Sequence, residues 1–239
     1  MLSVENLSKS YDDRTVVQGV SFQVPKGGAF GFLGVNGAGK TTTMKMIVGL
    51  VQPTAGAIRL DGQPLDGALR NQIGFMPEGP YFYENLTGLE LLAFYGGLFS
   101  HIQTSAKDQR ALLIRLGLGE AADRPIRTYS KGMRQRFGFA QALVNNPQYV
   151  FLDEPLDGLD PLGRRQIKEI ILGMKKEGKT VFLNSHILSD IEEICDTIGV
   201  IHAGELIYSG SVAEFCQNIP LEQRFVELIS KQPKPSYHE

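Results

Sequence analysis

The sequence predicts an α/β fold with a mostly parallel sheet, N-terminal antiparallel strands and an inserted helical subdomain. Three observations predict it. Apolar residues alternate with polar ones near the N-terminus, at Leu2, Val4 and Leu7, as in antiparallel strands that bury one face. Further along, short apolar runs alternate with helical patterns, which is typical of a parallel sheet covered on both faces. Residues 87–145, by contrast, show only helical patterns.

The first elements of the core follow in order. Residues 16–24 continue the N-terminal alternation, and the glycine-containing segment 25–28 predicts a turn. The run 29–33 is continuously apolar, as in a buried strand of a parallel sheet. A helix is predicted from Lys40 onwards, with Val51 on its apolar face, and the segment after it contains proline and glycine.

The later core strands are expected at short apolar runs, with a helix predicted around Ile167 and Met174. Those runs are residues 57–60, 73–76, 149–152, 180–183 and 198–201.

The inserted block contains three helical repeats, around Leu92, around 112–118 and around Phe137. We therefore expect one domain over residues 1–230, with a frayed tail after it. Its parts are a core of residues 1–86 and 146–220, a helical subdomain of residues 87–145, and a disordered tail of residues 231–239.

Composition narrows the possible functions. The chain has 239 residues, 42% of them hydrophobic, and a formal net charge of −2, which argues against a protein that binds nucleic acid through phosphate neutralisation. No run of 18 apolar residues and no secretory signal are visible, so we expect a chain that does not itself span the membrane. The two cysteines, Cys195 and Cys216, lack metal-site spacing and are expected to be buried apolar residues.

A glycine-rich loop follows the predicted strand 29–33. Residues 34–41 match G-x-x-x-x-G-K-[ST], in which backbone N–H groups and a helix N-terminus surround a polyphosphate. A chance match in a glycine-rich chain is the alternative, but the strand before and the helix after favour a P-loop nucleoside triphosphatase (NTPase) core. The motif alone does not separate hydrolases from kinases. The predicted nucleotide-binding residues are Asn36, Gly37, Ala38, Gly39, Lys40, Thr41 and Thr42.

A pair of carboxylates ends the predicted strand 149–152. Such a strand delivers Asp153 and Glu154 to the crevice where ligands bind. Asp153 is placed to hold Mg²⁺ and Glu154 to activate the attacking water. An ordinary acidic turn is the alternative, and the phosphate loop favours the functional interpretation.

Residues 128–136 begin the third helical repeat and resemble the signature motif of ABC ATPases, Leu-Ser-Gly-Gly-Gln followed by a basic residue and Gln-Arg. Ser130 and Gly132 match its two most informative positions, whereas Tyr129 and Lys131 depart from it. Ser130 is also a good N-cap, and a helix N-terminus can bind a γ-phosphate.

Further segments are similar to the rest of the ABC pattern. Tyr11 stands where the family has an aromatic residue that stacks on adenine, Asp160 lies in a segment similar to the D-loop, and His186 resembles the switch histidine. Three other residues depart from the pattern, and one of them is Leu156, where the family's Asp-Glu-Pro-Thr segment ends in threonine. Glu78 occupies the position of the Q-loop glutamine, and Asp157 stands where serine or asparagine is common.

The resemblance implies an ATP-binding and ATP-hydrolysing subunit that uses Mg²⁺. It implies catalytic roles for Lys40, Glu154 and His186 and metal ligation by Thr41, Glu78 and Asp153. The implied partners are a separate membrane-spanning subunit and a second copy or a paralogous ATPase, with no nucleic acid, at the cytoplasmic face of the membrane. Residues 77–83 and 221–225 narrow the resemblance to exporters of the ABC-2 type.

Two other interpretations are weighed against this one. A soluble ABC-type ATPase acting on nucleic acid or ribosomes usually carries two ATPase units or a long coiled coil, and the acidic balance argues against it. A P-loop kinase would explain Lys40 but not Ser130 or His186.

The segment Tyr81-Phe82-Tyr83 carries three consecutive aromatic residues. Neighbouring side chains of an extended segment face opposite ways, so at least one of these rings is predicted to be exposed.

Overall fold

The computed structural model describes residues 1–65, 67–99 and 105–233. They form two compact units, the first made of residues 1–65 and 182–233, and the second of residues 67–99 and 105–181. The elements, in chain order, are β1 (Leu2–Tyr11), β2 (Arg14–Val24), β3 (Ala29–Leu33), α1 (Lys40–Ile47), β4 (Ala55–Leu60), β5 (Gln63–Pro64), α2 (Gly67–Arg70), β6 (Ile73–Met76), α3 (Gly88–Gly97), α4 (Ala106–Arg115), α5 (Lys131–Leu143), β7 (Tyr149–Asp153), α6 (Pro161–Lys176), β8 (Thr180–Asn184), α7 (Leu188–Ile194), β9 (Thr197–His202), β10 (Glu205–Ser211), α8 (Val212–Cys216) and α9 (Leu221–Ser230).

An antiparallel sheet with strand order β2-β1-β4-β5 lies in the first unit. Leu2 is paired with Val24 on one side and with Leu60 on the other. All three side chains are buried. The pairing of β1 with β2 shifts register between Val4 and Leu7, and both of these side chains are buried. The predicted N-terminal antiparallel strands are confirmed.

The first unit also contains parallel strands. β3 pairs with β9 in parallel and β9 pairs with β10 in an antiparallel hairpin. Every residue of β3 is buried, as its continuous apolar sequence predicts. An aromatic cluster fills the core here: the Phe30 ring lies 5.1 Å from that of Phe22 and 5.2 Å from that of Phe182.

In the second unit, β6 and β7 are parallel, with Met76 opposite Leu152. The Asn145 side-chain amide, just after α5, donates to the carbonyl oxygens of Asn71 and Ile73, at 2.9 and 3.1 Å. These bonds anchor the C-terminal end of α5 at the start of β6. The mixed α/β fold with mostly parallel strands and an antiparallel N-terminal sheet is therefore confirmed.

The predicted helical block contains α3, α4 and α5, and each begins at a hydroxyl side chain. Thr87 and Ser105 form capping boxes with Glu90 and Asp108, and Ser130 caps α5 by accepting from the Met133 N–H at 3.3 Å. These caps satisfy backbone N–H groups that the helices leave unpaired.

Some predicted boundaries are wrong. The helical repeat expected over 112–118 ends earlier, since α4 stops at Arg115 and Gly117 has a φ of +72°. The helix from Lys40 likewise ends at Ile47, before Val51, and Gly49 follows with a φ of +78°. Helices commonly end at a glycine with a positive φ, because glycine has no Cβ to make that conformation unfavourable.

Of the predicted tail 231–239, residues 234–239 lie outside the described residues. Cys195 and Cys216 are buried, as predicted, and neither is in a disulfide. In the described part of the chain no helix has the length and apolar character needed to cross a membrane.

The aromatic cluster generates a stability prediction. Phe30→Ala should lower the free energy of unfolding by about 3–5 kcal/mol, because it leaves a cavity among packed rings. The exposed Phe94 provides a control of the same residue type, and Phe94→Ala should change stability by about 1 kcal/mol or less. Denaturant unfolding measures both. Equal losses would show that the ring cluster is not a stabilising core.

Candidate nucleotide-binding and catalytic site

The phosphate loop joins the buried strand β3 to α1 in the first unit. Gly37 and Gly39 have φ values of +79° and +109°, which residues with a side chain rarely adopt. Gly39 stands at the N-cap position of α1, where no side chain of the described residues makes a capping bond. The loop therefore presents backbone N–H groups and a helix N-terminus, the two features that bind phosphate.

The side chains of this loop suit the same ligand. The Lys40 ammonium donates to the carbonyl oxygens of Gly34 and Val35, at 2.7 and 3.2 Å, so it lies against the loop itself. Asn36 is exposed at the tip, and Thr41 is half-buried in the first turn of α1. The remaining predicted binding residues, Ala38 and Thr42, lie in the loop and on α1.

The turn between β9 and β10 supports the phosphate loop. The Gly204 N–H donates to the Ala38 carbonyl at 3.0 Å, and a Cβ at Gly34 would overlap the carbonyl oxygen of Ile201. Ile201 and Gly204 were not predicted as site residues. The only local signal was an apolar run ending before an Ala-Gly turn, which does not say what the turn contacts.

Two more predicted residues lie in the first unit. Tyr11 ends β1 with its ring half-exposed, and the Lys9 ammonium lies 4.8 Å from the ring centroid. Such a cation contact holds an aromatic ring at the surface. His186 is exposed and follows the buried end of β8 by two residues.

The predicted carboxylates lie in the second unit. Because β6 and β7 are parallel and Met76 is opposite Leu152, Glu78 and Asp153 both follow at the same end of these strands. Asp153 is buried, Glu154 is half-buried and Glu78 is exposed. Glu154 has a φ of +51°, in the left-handed region that residues with a side chain seldom adopt.

Gln135 of α5 positions Glu154 from the backbone side. Its side-chain amide, which is buried, donates to the Glu154 carbonyl at 2.9 Å. The Asp157 N–H donates to the same oxygen at 3.2 Å, closing a turn over residues 154–157. The sequence showed Gln135 only as part of a motif resemblance and gave no sign of this contact.

The signature-like segment begins α5. Gly132 lies beside Leu159, whose side chain is 3.6 Å from where a Cβ at Gly132 would be. Tyr129, which departs from the family pattern, is buried and donates its hydroxyl to the Ala121 carbonyl at 2.7 Å. Burial raises the pKa of this hydroxyl. Tyr129 is thus a packing residue that holds the backbone just before Ser130 in place.

Asp160 has a structural task in the second unit. It caps α6 by accepting from the Gly163 N–H at 2.6 Å, with Pro161 in the first turn. Its predicted contact with nucleotide remains a prediction.

The aromatic segment is divided between core and surface, as predicted. Phe82 is buried with its ring 5.0 Å from that of Phe137, whereas Tyr81 and Tyr83 are 97% and 62% exposed. Tyr83 contacts Phe94 edge to face at 5.9 Å. We call Tyr81, Tyr83 and Phe94 the aromatic patch. Exposed aromatic clusters of this kind favour protein contacts.

The predicted metal ligands all carry oxygen donors. No group of three or more His, Cys, Asp or Glu side chains in the described ranges could hold a metal alone. Magnesium in nucleotide sites commonly takes one or two carboxylates together with substrate phosphates and water. Hydroxyl and carboxylate oxygens such as those of Thr41, Glu78 and Asp153 match that preference.

A phosphate loop between β3 and α1 and an acidic end of β7 define a P-loop nucleotide-binding protein. The ABC transporter family model matches residues 17–157, more than half of the chain. The chain belongs to the ABC transporter family.

Relatives agree with this assignment. The lantibiotic transport ATP-binding protein SrtF of Streptococcus pyogenes is 40% identical over 215 residues, 88% of this chain and 93% of that protein. ABC transporter ATP-binding proteins of Nostoc sp. and Synechocystis sp. are 49% and 48% identical, each over 83% of this chain. The chain spans 60% and 57% of the length of those two relatives.

A solved structure of an ATP-binding subunit of an ABC transporter is similar to the whole fold. Its TM-score is 0.86 at 31% identity, and the match covers 96% of this chain and 99% of that one. The interpretation as an ATPase acting on nucleic acid or ribosomes is not favoured, because these proteins are named as transporter components.

The support of the phosphate loop generates a prediction. Gly34→Ala should lower nucleotide affinity about tenfold, because the added methyl group meets the Ile201 backbone and must displace the loop. Titration with a fluorescent ATP analogue measures the affinity. Gly97→Ala is the matched control, since a Cβ there meets open space. An unchanged affinity in Gly34→Ala would mean that the contact with β9 does not determine the conformation of the phosphate loop.

Proposed function

We propose that this chain is the ATP-binding and ATP-hydrolysing subunit of an ABC exporter. It dimerises around ATP and drives transport through a separate membrane-spanning subunit, at the cytoplasmic face of the membrane. The phosphate loop carries this proposal, because its positive-φ glycines and the start of α1 form a backbone site for phosphate. Residues 77–83 and 221–225, which resemble exporters of the ABC-2 type, support export as the direction.

In the proposed ATP complex, residues 36–42 hold the phosphates and the Tyr11 ring stacks on adenine. Lys40 interacts with the terminal phosphates, where its charge offsets the negative charge that develops during phosphoryl transfer. The contact of its ammonium with the loop carbonyls supports this role, because it already lies at the loop.

Hydrolysis needs a base and a well-placed water. Glu154 is the proposed general base, with its backbone fixed by Gln135 and by the 154–157 turn. His186 is proposed to contact the γ-phosphate. Thr41, Glu78 and Asp153 are the proposed Mg²⁺ ligands, and the bound ion would neutralise charge on the phosphate oxygens.

A second copy of this chain, or a paralogous ATPase, is proposed to complete each site. Ser130, Gly132 and Asp160 would face the ATP held by the other copy, where the N-terminus of α5 adds a favourable dipole for the γ-phosphate. The cap at Ser130 supports this arrangement, since it fixes the position of that helix end.

The aromatic patch is the proposed docking site for the membrane-spanning subunit. It follows Glu78 in the chain and leads into α3, so a contact there lies close to a proposed Mg²⁺ ligand. A short helix with apolar anchors is the kind of element that binds such a surface.

The chemistry is tested by Glu154→Gln. This variant should bind MgATP and lose turnover by about 10²-fold or more, because the amide cannot take a proton from water. It should also form a dimer with ATP and return to a monomer with ADP, as measured by light scattering. Glu222→Gln, which changes an exposed carboxylate of α9, should retain full activity. Full turnover in Glu154→Gln would remove Glu154 as the base, and a mass independent of ATP would contradict the dimer.

The docking site is tested by the double substitution Tyr81→Ala and Tyr83→Ala. Binding to the membrane-spanning subunit should weaken about tenfold or more, because aromatic anchors dominate interface energies. Basal ATPase activity of the isolated chain should be retained. Co-purification and steady-state hydrolysis measure the two effects.

Two controls complete this test. Ile114→Ala alters an exposed apolar side chain outside the patch and should leave co-purification unchanged. Phe82→Ala alters the buried ring and should lower the melting temperature. If the tyrosine variant melts like Phe82→Ala, these rings belong to the core and the docking proposal fails.

A further inference from the structure

Two charged residues of the second unit form an ion pair at a functional position. The Lys131 ammonium lies 3.0 Å from the Asp157 carboxylate. Lys131 departs from the signature motif, and Asp157 stands where serine or asparagine is common. The structure thus pairs two separate departures, 26 residues apart in the sequence, with each other.

Lys131 is unfavourable for the helix it begins. It is the first residue of α5, where the positive end of the helix dipole repels a cation, and the first turn of α5 has no acidic residue. Asp157 supplies the missing negative charge from another segment. A residue such as Lys131, which goes against the local preference of a helix N-terminus, is expected at positions where function requires it.

The same face of α5 contacts both ends of the 154–157 turn. Lys131 and Gln135 are four residues apart, so they lie on one side of the helix. Gln135 binds the Glu154 carbonyl, and Lys131 binds the Asp157 carboxylate. Between these two contacts, the Asp157 N–H closes the turn onto the Glu154 carbonyl.

Glycine at position 158 accommodates the lysine. A Cβ on Gly158 would overlap the end of the Lys131 side chain, and Gly158 has a φ of +68°. The lysine therefore crosses this backbone at close range to reach Asp157. Both side chains remain exposed, so the pair is worth little energy by itself.

We propose that Lys131 is a positioning residue for hydrolysis: its ion pair with Asp157 holds the 154–157 turn against α5 and thereby fixes the orientation of Glu154. This inference rests on the proposed role of Glu154 as the base. The pair is expected to act on turnover and not on ATP affinity, since its contact with α5 bears on the backbone of the base.

A different role for Lys131 gives a different result. A lysine at the N-terminus of α5 could bind the γ-phosphate of ATP held by the other copy. Its removal would then raise the KM for ATP, and the effect would not depend on Asp157. A double-mutant cycle separates the two roles.

The experiment measures kcat and KM for ATP hydrolysis by the full chain and by three variants, Lys131→Ala, Asp157→Ala and the double substitution. Each single substitution should lower kcat about two- to fivefold, the range expected for an exposed ion pair, with little change in KM. The double variant should be no slower than the slower single one, because the pair is already broken. Lys131→Arg should restore most of the activity, since it keeps the charge.

Arg165→Ala is the control. It breaks an exposed pair with Glu169 inside α6, at 3.2 Å, and should leave kcat unchanged. Thermal melts of all variants should agree with that of the control, so that a loss of kcat reflects the turn and not the fold.

The outcomes separate the two proposals. If the unaltered chain hydrolyses ATP but the effects of the single substitutions add, or if kcat does not change, the positioning role is overturned. A raised KM in Lys131→Ala that persists when Asp157 is absent assigns the lysine to phosphate. If the unaltered chain does not hydrolyse ATP, the proposed function fails first.

Discussion

A backbone can hold a phosphate only where several N–H groups point the same way, and residues with side chains rarely adopt the angles that this requires. The first unit is built around that constraint. Gly37 and Gly39 take the positive φ values, and the absence of a Cβ at Gly34 lets β9 approach the loop. The β9–β10 turn then fixes the loop through the Ala38 carbonyl. The parallel pairing of β3 with β9 places this support beside the end of β3.

The second unit fixes the acidic end of β7 by other means. The conformational freedom of glycine determines the backbone conformation of the phosphate loop. By contrast, contacts with a helix determine the position of the acidic end of β7. α5 is anchored at its far end by Asn145 and capped at its near end by Ser130. Its fixed face can therefore hold the Glu154 carbonyl through Gln135. The buried ring of Tyr129 belongs to the same framework, since its hydroxyl binds the Ala121 carbonyl just ahead of the cap.

Much of this could be predicted from sequence, because the signals are local. The continuous apolar run of β3 and the cap at Ser130 each depend on neighbouring residues. Helix ends were predicted less well, since a glycine can end a helix whose apolar pattern continues, as Gly117 does. The contacts of Gln135, Ile201 and the Lys131–Asp157 pair were missed. They join residues that are distant in the chain, and no spacing rule encodes such contacts.

The positive φ of Glu154 has an evolutionary consequence. An L-residue in the left-handed region is destabilised by about 1 kcal/mol or more relative to glycine. A mutation to glycine would relieve that strain and make the folded chain more stable, while removing the carboxylate. Selection for stability alone would therefore eliminate this side chain. In the proposed role of Glu154 as the base, the chain gives up this amount of stability to keep a carboxylate at the end of β7.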